Sequence, residues 1–144
     1  MNLHYLLDTN IISEPLKPKP SLDILRKLRE HQGEIAIASV VWHELHYGCL
    51  RLPYSDKRSA IEAYLFKVIA PSMDILPYDE RAATWHAAER ARLTELGMVP
   101  PFVDGQIAAI AAVNKLVLVT YNTSDFENFQ GITLEDWLEG TQRS

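Results

Sequence analysis

Short apolar runs alternate with longer helical patterns along this chain of 144 residues. Each apolar run is shorter than a typical helix, which favours a buried strand. We predict five strands, in the ranges 3–7, 35–38, 74–76, 116–120 and 132–133. Strands that alternate with helices favour parallel pairing, because each crossover helix covers a face of the sheet. The pattern predicts one α/β domain over residues 1–144, in three layers, with a central, mostly parallel sheet flanked by helices.

Capping residues and prolines set the bounds of the predicted helices. Ser21, Ser39 and Asp79 precede helical segments and are typical N-cap residues. Gly33 and Gly97 follow two of these segments, as glycine often does after a helix. We predict helices in the ranges 9–14, 21–31, 39–51, 54–69, 79–96 and 100–114, and a small one that ends near residue 138.

The composition excludes several classes of protein. The net charge of −5 argues against a protein that coats nucleic acid by bulk positive charge. It leaves open a nuclease whose acidic site is bridged to phosphate by metal. No stretch approaches the roughly 20 apolar residues of a membrane span. The N-terminus lacks a basic leader, and Cys49 has no disulfide partner within the chain, so we expect a cytoplasmic protein without a signal peptide.

Four acidic residues stand apart from the charged, solvent-facing majority. Asp8 ends the first predicted strand, and Asp125 follows closely after the fourth. Glu44 and Asp104 lie among apolar residues on the core-facing stripes of their helices, where an unpaired charge is costly. The binding crevice of a parallel α/β sheet lies outside the carboxyl ends of its strands. Asp8 and Asp125 are therefore candidates for that crevice.

A divalent metal ion would explain the four acids together. Carboxylates brought together repel one another, and a hard cation relieves that repulsion. Oxygen ligands without thiolates indicate Mg²⁺ or Mn²⁺ rather than zinc.

Each acid alone is also compatible with a structural role. Asp8 could cap the short helix that it precedes, and Glu44 could reach solvent along the edge of its stripe. Asp104 could be a first-turn acid favoured by the helix dipole, and Asp125 could form an Asx turn. The functional interpretation therefore rests on the set.

Four segments of the chain resemble, in order and spacing, the acidic motifs of PIN domains, particularly those of VapC-type toxins from bacterial toxin–antitoxin pairs. The segments are Leu6–Asn10, Ser39–Leu45 followed by Gly48, Asp104–Ala109, and Thr120–Phe126. Tyr121 departs from this pattern, because many relatives carry arginine there. The resemblance covers nearly the whole chain and implies a three-layer PIN-like domain.

The resemblance also implies an activity and its partners. It implies an endoribonuclease toxin that hydrolyses RNA phosphodiester bonds and is silenced by a cognate antitoxin. Part of the antitoxin would lie in a groove near the early helices and place a basic side chain against the carboxylates. A homodimer is also expected.

The candidate site residues follow from these motifs. Asp8, Glu44 and Asp104 would hold Mg²⁺ or Mn²⁺, while Asp125 would bind a second metal or act on the first from the outer shell. Three polar residues are candidates for positioning substrate or water: Thr9, Asn10 and Asn122. For Thr9 and Asn10, capping of the first helical turn is an equal alternative.

Other interpretations stay open at this point. The chain could be a PIN nuclease of RNA processing rather than a toxin, or a PIN-fold binding module without catalysis. A phosphatase of the haloacid-dehalogenase type needs a second acid two residues after its nucleophile, where this chain has Asn10. A basic stretch is a solvated face or an RNA contact: Lys17, Lys19, Arg26, Lys27 and Arg29. The RNA target and the number of metal ions are undetermined.

Overall fold

The computed structural model describes residues 2–138, which contain one five-stranded sheet with helices around it. The strands are β1 (Tyr5–Leu7), β2 (Ile35–Ala38), β3 (Asp74–Leu76), β4 (Val117–Val119) and β5 (Thr133–Glu135). Their order across the sheet is β3-β2-β1-β4-β5, and all four pairings are parallel. The predicted α/β class and each of the five predicted strands are confirmed, and the sheet is parallel throughout.

Eight α-helical segments connect the strands. They are α1 (Thr9–Ile12), α2 (Leu22–Glu30), α3 (Ser39–Leu50), α4 (Asp56–Ala63), α5 (Ala70–Ser72), α6 (Glu80–Glu95), α7 (Phe102–Val113) and α8 (Thr123–Phe126). A 3₁₀ turn at Glu14–Leu16 follows α1, and a π-helical segment at Tyr64–Ile69 joins α4 to α5. No helix within residues 2–138 is long and apolar enough to span a membrane.

Capping bonds confirm the predicted starts of two helices, and a glycine confirms one predicted end. The Ser21 hydroxyl accepts a hydrogen bond from the backbone N–H of Ile24 at 3.3 Å. The Asp79 carboxylate accepts one from the N–H of Ala82 at 2.9 Å. Gly97, after α6, has a φ of 79°, a left-handed conformation that glycine adopts without steric cost.

Some predicted ends are wrong. Ser39 is the first residue of α3 rather than its cap, because Ala38 holds the extended N-cap conformation. Pro100 and Pro101 precede α7 instead of starting it, and Pro101 is its extended N-cap. No helix forms at 136–138, because β5 continues to Glu135. The side chain of Asp136 then accepts a bond from the N–H of Leu138 at 2.8 Å, which closes a turn.

One predicted helix changes its winding. The range 54–69 was expected to be a continuous α-helix, but it begins at Asp56, after Ser55 caps it. From Tyr64 the chain winds more widely, with π-type bonds, until Ile69. Leu65 and Ile69 are both buried, so the wider turn still points apolar side chains into the core.

The strand order reverses direction between β1 and β4, which creates a topological switch point there. The chain moves from β1 to β2 and β3 on one side, then returns to build β4 and β5 on the other. The backbone N–H of Asp8 donates to the carbonyl of Val119 at 2.9 Å, which fastens the two strand ends together. In open parallel sheets a binding crevice forms at such a point.

Helix α7 approaches α6 closely at Gly105. A Cβ atom placed on Gly105 would lie 2.1 Å from Nε2 of His86, so no other residue fits without movement. His86 is 4% exposed, and its Nδ1 is 2.8 Å from the hydroxyl of Tyr78. This contact sets the position of the first turn of α7, which carries Asp104.

We expect Gly105→Ala to lower the free energy of unfolding by about 1–3 kcal/mol, because the added methyl overpacks against His86. In a His86→Ala background the same change should be neutral or stabilising, since alanine favours helix over glycine by about 1 kcal/mol. Urea unfolding of the four proteins measures this coupling. An equal cost of Gly105→Ala in both backgrounds would show that the contact with His86 is not its cause.

Candidate active site

The four predicted carboxylates surround the switch point of the sheet. Asp8 lies between β1 and α1, and Glu44 lies in the middle of α3. Asp104 is in the first turn of α7, and Asp125 is in the single-turn helix α8 that follows β4. Residues far apart in sequence are thus brought to one crevice by the parallel topology.

The pKa values of Asp8 and Asp104 are raised by burial and by the neighbouring acids of the crevice. Burial, followed by the negative charges of Asp8, Asp125 and Glu44, raises the pKa of Asp104 to about 6. Burial also raises the pKa of Asp8, against hydrogen bonds from Thr120 and Thr9 that lower it. The charges of Asp125 and Glu44 again contribute to the rise. The crevice therefore concentrates negative charge at neutral pH.

Glu44 was expected to face the core, and this expectation is wrong. Its side chain is exposed, while Val41 and Leu45 on the same helix are buried. A residue advances about 100° around an α-helix, so Glu44 falls at the edge of the buried stripe and reaches the crevice from the solvent side. Asp125 is exposed as well, while Asp8 and Asp104 are half-buried. The site has an inner and an outer pair of carboxylates.

Thr120 is the polar centre that holds Asp8 in place. Its side chain is fully buried, and its hydroxyl donates to Oδ2 of Asp8 at 2.9 Å. The hydroxyl oxygen of Thr120 also accepts bonds from the N–H of Asn122 at 3.0 Å and from the side-chain amide of Asn10 at 3.4 Å. Oδ1 of Asp8 accepts a bond from the N–H of Thr9 at 2.8 Å. Asp8 is thus the N-cap of α1 as well as a member of the acidic cluster.

The three predicted positioning residues differ in their contacts. The side chain of Asn10 binds Thr120 and also accepts a bond from the N–H of Tyr121 at 3.3 Å, so it braces the end of β4. Thr9 contributes its backbone amide to Asp8. Asn122 contributes its backbone amide to Thr120, while its exposed side chain makes no capping bond to α8. A role in contacting substrate or water remains a prediction for all three.

Two residues of the site were missed at the sequence level. Thr120 has a visible signal, since a hydroxyl directly after a buried apolar strand needs a partner. Glu14 has none, because it precedes Pro15 at the end of a predicted turn and resembles an ordinary surface acid. In the structure Glu14 is only 3% exposed.

The donor chemistry of the site fits a hard divalent cation. The groups that repel one another in the crevice are all carboxylates, which Mg²⁺ and Mn²⁺ prefer as ligands. As placed, no three histidine, cysteine, aspartate or glutamate side chains in residues 2–138 are close enough to hold a metal ion. Glu44 and Asp125 are exposed, so their rotamers can change without disturbing the core. A cation would draw the outer pair towards the inner pair.

Comparison with known proteins identifies similar sequences over most of the chain. The model of the PIN domain matches residues 5–132. The chain is 36% identical over 137 residues to the tRNA(fMet)-specific endonuclease VapC of Shigella flexneri. This match covers 94% of this chain and 98% of that protein. It is also 33% identical over 124 residues to Toxin FitB of Neisseria gonorrhoeae. That match covers 84% of this chain and 89% of that protein.

Solved structures agree with the fold. FitAcB from Neisseria gonorrhoeae matches with a TM-score of 0.86 at 29% identity, over 94% of this chain and 99% of that chain. DNA-bound VapBC from Salmonella typhimurium matches with a TM-score of 0.81 at 33% identity, over 94% of this chain and 98% of that chain.

We expect Asp104→Asn to gain stability relative to the wild type as the pH rises from 4 to 7 in EDTA. The folded pKa of Asp104, about 6, lies above the unfolded value of about 3.9. The wild type therefore loses stability as pH rises through this window, and the loss persists above it. Asparagine cannot titrate, so its variant escapes this loss. Thermal unfolding at several pH values measures the difference.

Ile107→Ala is the control on the same helix. Ile107 is 2% exposed, and its truncation should cost about 2–5 kcal/mol at every pH in this range, because lost packing does not titrate. If the stability of Asp104→Asn instead tracked the wild type in parallel from pH 4 to 7, Asp104 would not carry the repulsion described here.

Proposed function

Because this chain belongs to the PIN-domain family, we propose that Asp8, Glu44, Asp104 and Asp125 form the active site of a metal-dependent endoribonuclease. The chain is an endoribonuclease toxin of a toxin–antitoxin system, of the VapC and FitB type. The observation that carries the proposal for the site is the convergence of four carboxylates at the switch point of the sheet, where Asp8, Glu44 and Asp125 repel the charge of Asp104. Such repulsion has no structural benefit and is relieved by Mg²⁺ or Mn²⁺.

The four carboxylates of the crevice have different proposed roles. Asp8, Glu44 and Asp104 would hold the metal, and Asp125 would bind a second ion or act from the outer shell. When bound, the metal lowers the pKa of a water molecule and stabilises charge on the scissile phosphate.

The protein's own contribution is to aim the ligands and to limit the rise in the pKa of Asp8. Thr120 donates to Asp8 and so favours its carboxylate form. Asp104 is mostly deprotonated above pH 6. Burial of the inner pair limits bulk water around them.

The substrate proposed is RNA, which enters from the exposed side of the crevice. Glu44, Asp125 and Asn122 are exposed there. Thr9, Asn10 and Asn122 are the polar groups proposed to position the phosphate or the attacking water. The basic stretch contributes further exposed cations, such as Lys19. Because the proposed substrate is RNA, we also propose a cytoplasmic location for this protein.

An antitoxin is the proposed protein partner. A cavity of about 490 Å³ lies beside the early helices. Apolar residues from several elements line it, among them Pro15, Leu25, Leu28, Ile35, Val68 and Met73. We propose that an apolar segment of the antitoxin lies in this groove and places a basic side chain against the carboxylates. The solved relatives named VapBC and FitAcB support such a pairing.

Self-association is proposed as well. The segment from Leu96 to Val103 carries several large exposed apolar side chains, of which Val99 is 82% exposed. A run of this kind favours contact with another protein surface. We propose that a homodimer forms, and that residues 1–144 make up one PIN domain in each protomer.

We expect the purified protein to cleave RNA with Mg²⁺ or Mn²⁺ and to lose this activity in EDTA. Asp8→Asn and Asp104→Asn should reduce cleavage about a hundredfold or more, because metal stabilisation of the transition state is worth several kcal/mol. Glu127→Gln is the matched control, since Glu127 is an exposed acid two residues after Asp125. Cleavage of a labelled RNA measures all four proteins.

Full cleavage in EDTA would contradict a metal mechanism. A protein that binds Mn²⁺ or antitoxin but cleaves no RNA would instead be the binding module that the sequence left open.

We expect Val68→Asp to free the toxin from its antitoxin. Val68 lines the groove and is 48% exposed, so the change places a charge in the docking surface without disturbing the core. The wild type should arrest bacterial growth, and co-expression of the cognate antitoxin should restore it. Val68→Asp should arrest growth even with antitoxin present.

Leu50→Asp is the control for this experiment, because Leu50 is 59% exposed on α3 and outside the groove. Its toxicity should be suppressed by the antitoxin as in the wild type. Suppression of Val68→Asp to the same degree would place the antitoxin elsewhere.

A further inference from the structure

Glu14 is a buried carboxylate outside the acidic cluster. Its Oε2 accepts a bond from the N–H of Ser21 at 2.7 Å, and its Oε1 accepts one from the hydroxyl of Tyr121. The ammonium of Lys17 lies 2.9 Å from the same Oε1. Glu14 therefore joins the 3₁₀ turn after α1 to the start of α2 and to the chain that leaves β4.

The charges around Glu14 keep it ionised and keep Tyr121 a donor. Burial alone would raise the pKa of Glu14, but the bonds from Tyr121, Ser21 and Lys17 hold that pKa below its usual value. Burial and the nearby Glu14 both raise the pKa of the Tyr121 hydroxyl, so it stays protonated. Lys17 also lies over the Tyr121 ring, with its Nζ 5.4 Å from the ring centroid.

Tyr121 continues this network into the candidate active site. Its backbone N–H donates to Oδ1 of Asn10 at 3.3 Å, while the amide of Asn10 donates to Thr120. Thr120 in turn donates to the carboxylate of Asp8. An unbroken series of hydrogen bonds thus runs from buried Glu14 to the metal-ligand candidate Asp8.

We propose that Glu14 and Tyr121 are positioning residues, which hold the end of β4 so that Thr120 and Asn10 aim Asp8 into the site. The proposal rests on the proposed nuclease function. Neither residue would touch metal or RNA. Tyr121 donates two hydrogen bonds, one from its backbone N–H to Asn10 and one from its hydroxyl to Glu14. Loss of the hydroxyl bond would release the backbone that braces Asn10.

The decisive variant is Tyr121→Phe, which removes the hydroxyl and keeps the ring that packs against Lys17. We expect its dissociation constant for Mn²⁺ to rise about tenfold and its kcat for RNA to fall by a similar factor, as for other outer-shell partners of metal ligands. The KM for RNA should stay unchanged. Calorimetric titration with Mn²⁺ and steady-state cleavage give these values.

Tyr64→Phe is the matched control. Tyr64 is another largely buried tyrosine, and its hydroxyl donates to the carbonyl of Ile12 at 2.7 Å, at the far end of α1 from Asp8. Its variant also loses a hydroxyl that braces α1, but it leaves the route to Asp8 intact. We expect its Mn²⁺ affinity and kcat to equal those of the wild type, with a loss of thermal stability similar to that of Tyr121→Phe in EDTA.

A double-mutant cycle with Glu14→Gln tests the pairing itself. If Glu14 acts through Tyr121, the effects of the two changes on Mn²⁺ affinity should be strongly non-additive. If Glu14→Gln does not fold, the comparison of Tyr121→Phe with Tyr64→Phe decides alone. The proposal is overturned if Tyr121→Phe keeps wild-type Mn²⁺ affinity and kcat, or if Tyr64→Phe loses as much.

Mn²⁺ binding and RNA cleavage by the wild type distinguish a failure of this proposal from a failure of the proposed nuclease function. A wild type that neither binds Mn²⁺ nor cleaves RNA refutes the proposed function and this inference with it. A wild type that does both, beside a Tyr121→Phe protein that matches it, refutes only the positioning role.

Discussion

The bond between the ends of β1 and β4 is the constraint on which the candidate site depends. Asp8 donates its backbone N–H to Val119, and its carboxylate accepts a bond from Thr120, the residue after β4. Two strands that are more than 100 residues apart in sequence are thus joined by backbone and side chain at the same point. Because the chain departs in opposite directions from this junction, a crevice opens there.

The crevice works against the stability of the fold. Asp8 and Asp104 are half-buried beside two further acids, and burial and repulsion together raise the pKa of each. A chain selected for stability alone would place neutral residues there. Close packing elsewhere offsets the strain, most visibly in α7, where five consecutive residues from Ile107 to Ala111 are buried.

The periodic features of the molecule were predictable from sequence. The five strands, the caps at Ser21 and Asp79 and the turn at Gly97 follow from local patterns, because each depends on neighbours in sequence. The expected meeting of the acids at the sheet edge follows from parallel topology alone.

The non-local features were not predictable. The exposure of Glu44 depends on how α3 is rotated against the sheet, and a stripe of apolar residues leaves its edge uncertain by one position. The burial of Glu14 depends on Tyr121, more than 100 residues away, so no window of sequence around Glu14 contains the reason. The contact of His86 with Gly105 joins two helices in the same way.

The exposure of the outer pair of carboxylates leaves one side of the candidate site open to cations from solvent. Glu44 and Asp125 face solvent, so their negative charge is open to any cation of suitable size, whether a metal ion or a guanidinium carried on another protein. If both bind there as proposed above, they compete for the same charge, so each would lower the apparent affinity of the other by the same factor. Under that proposal, the concentration of metal would set, through mass action, how tightly the antitoxin is retained.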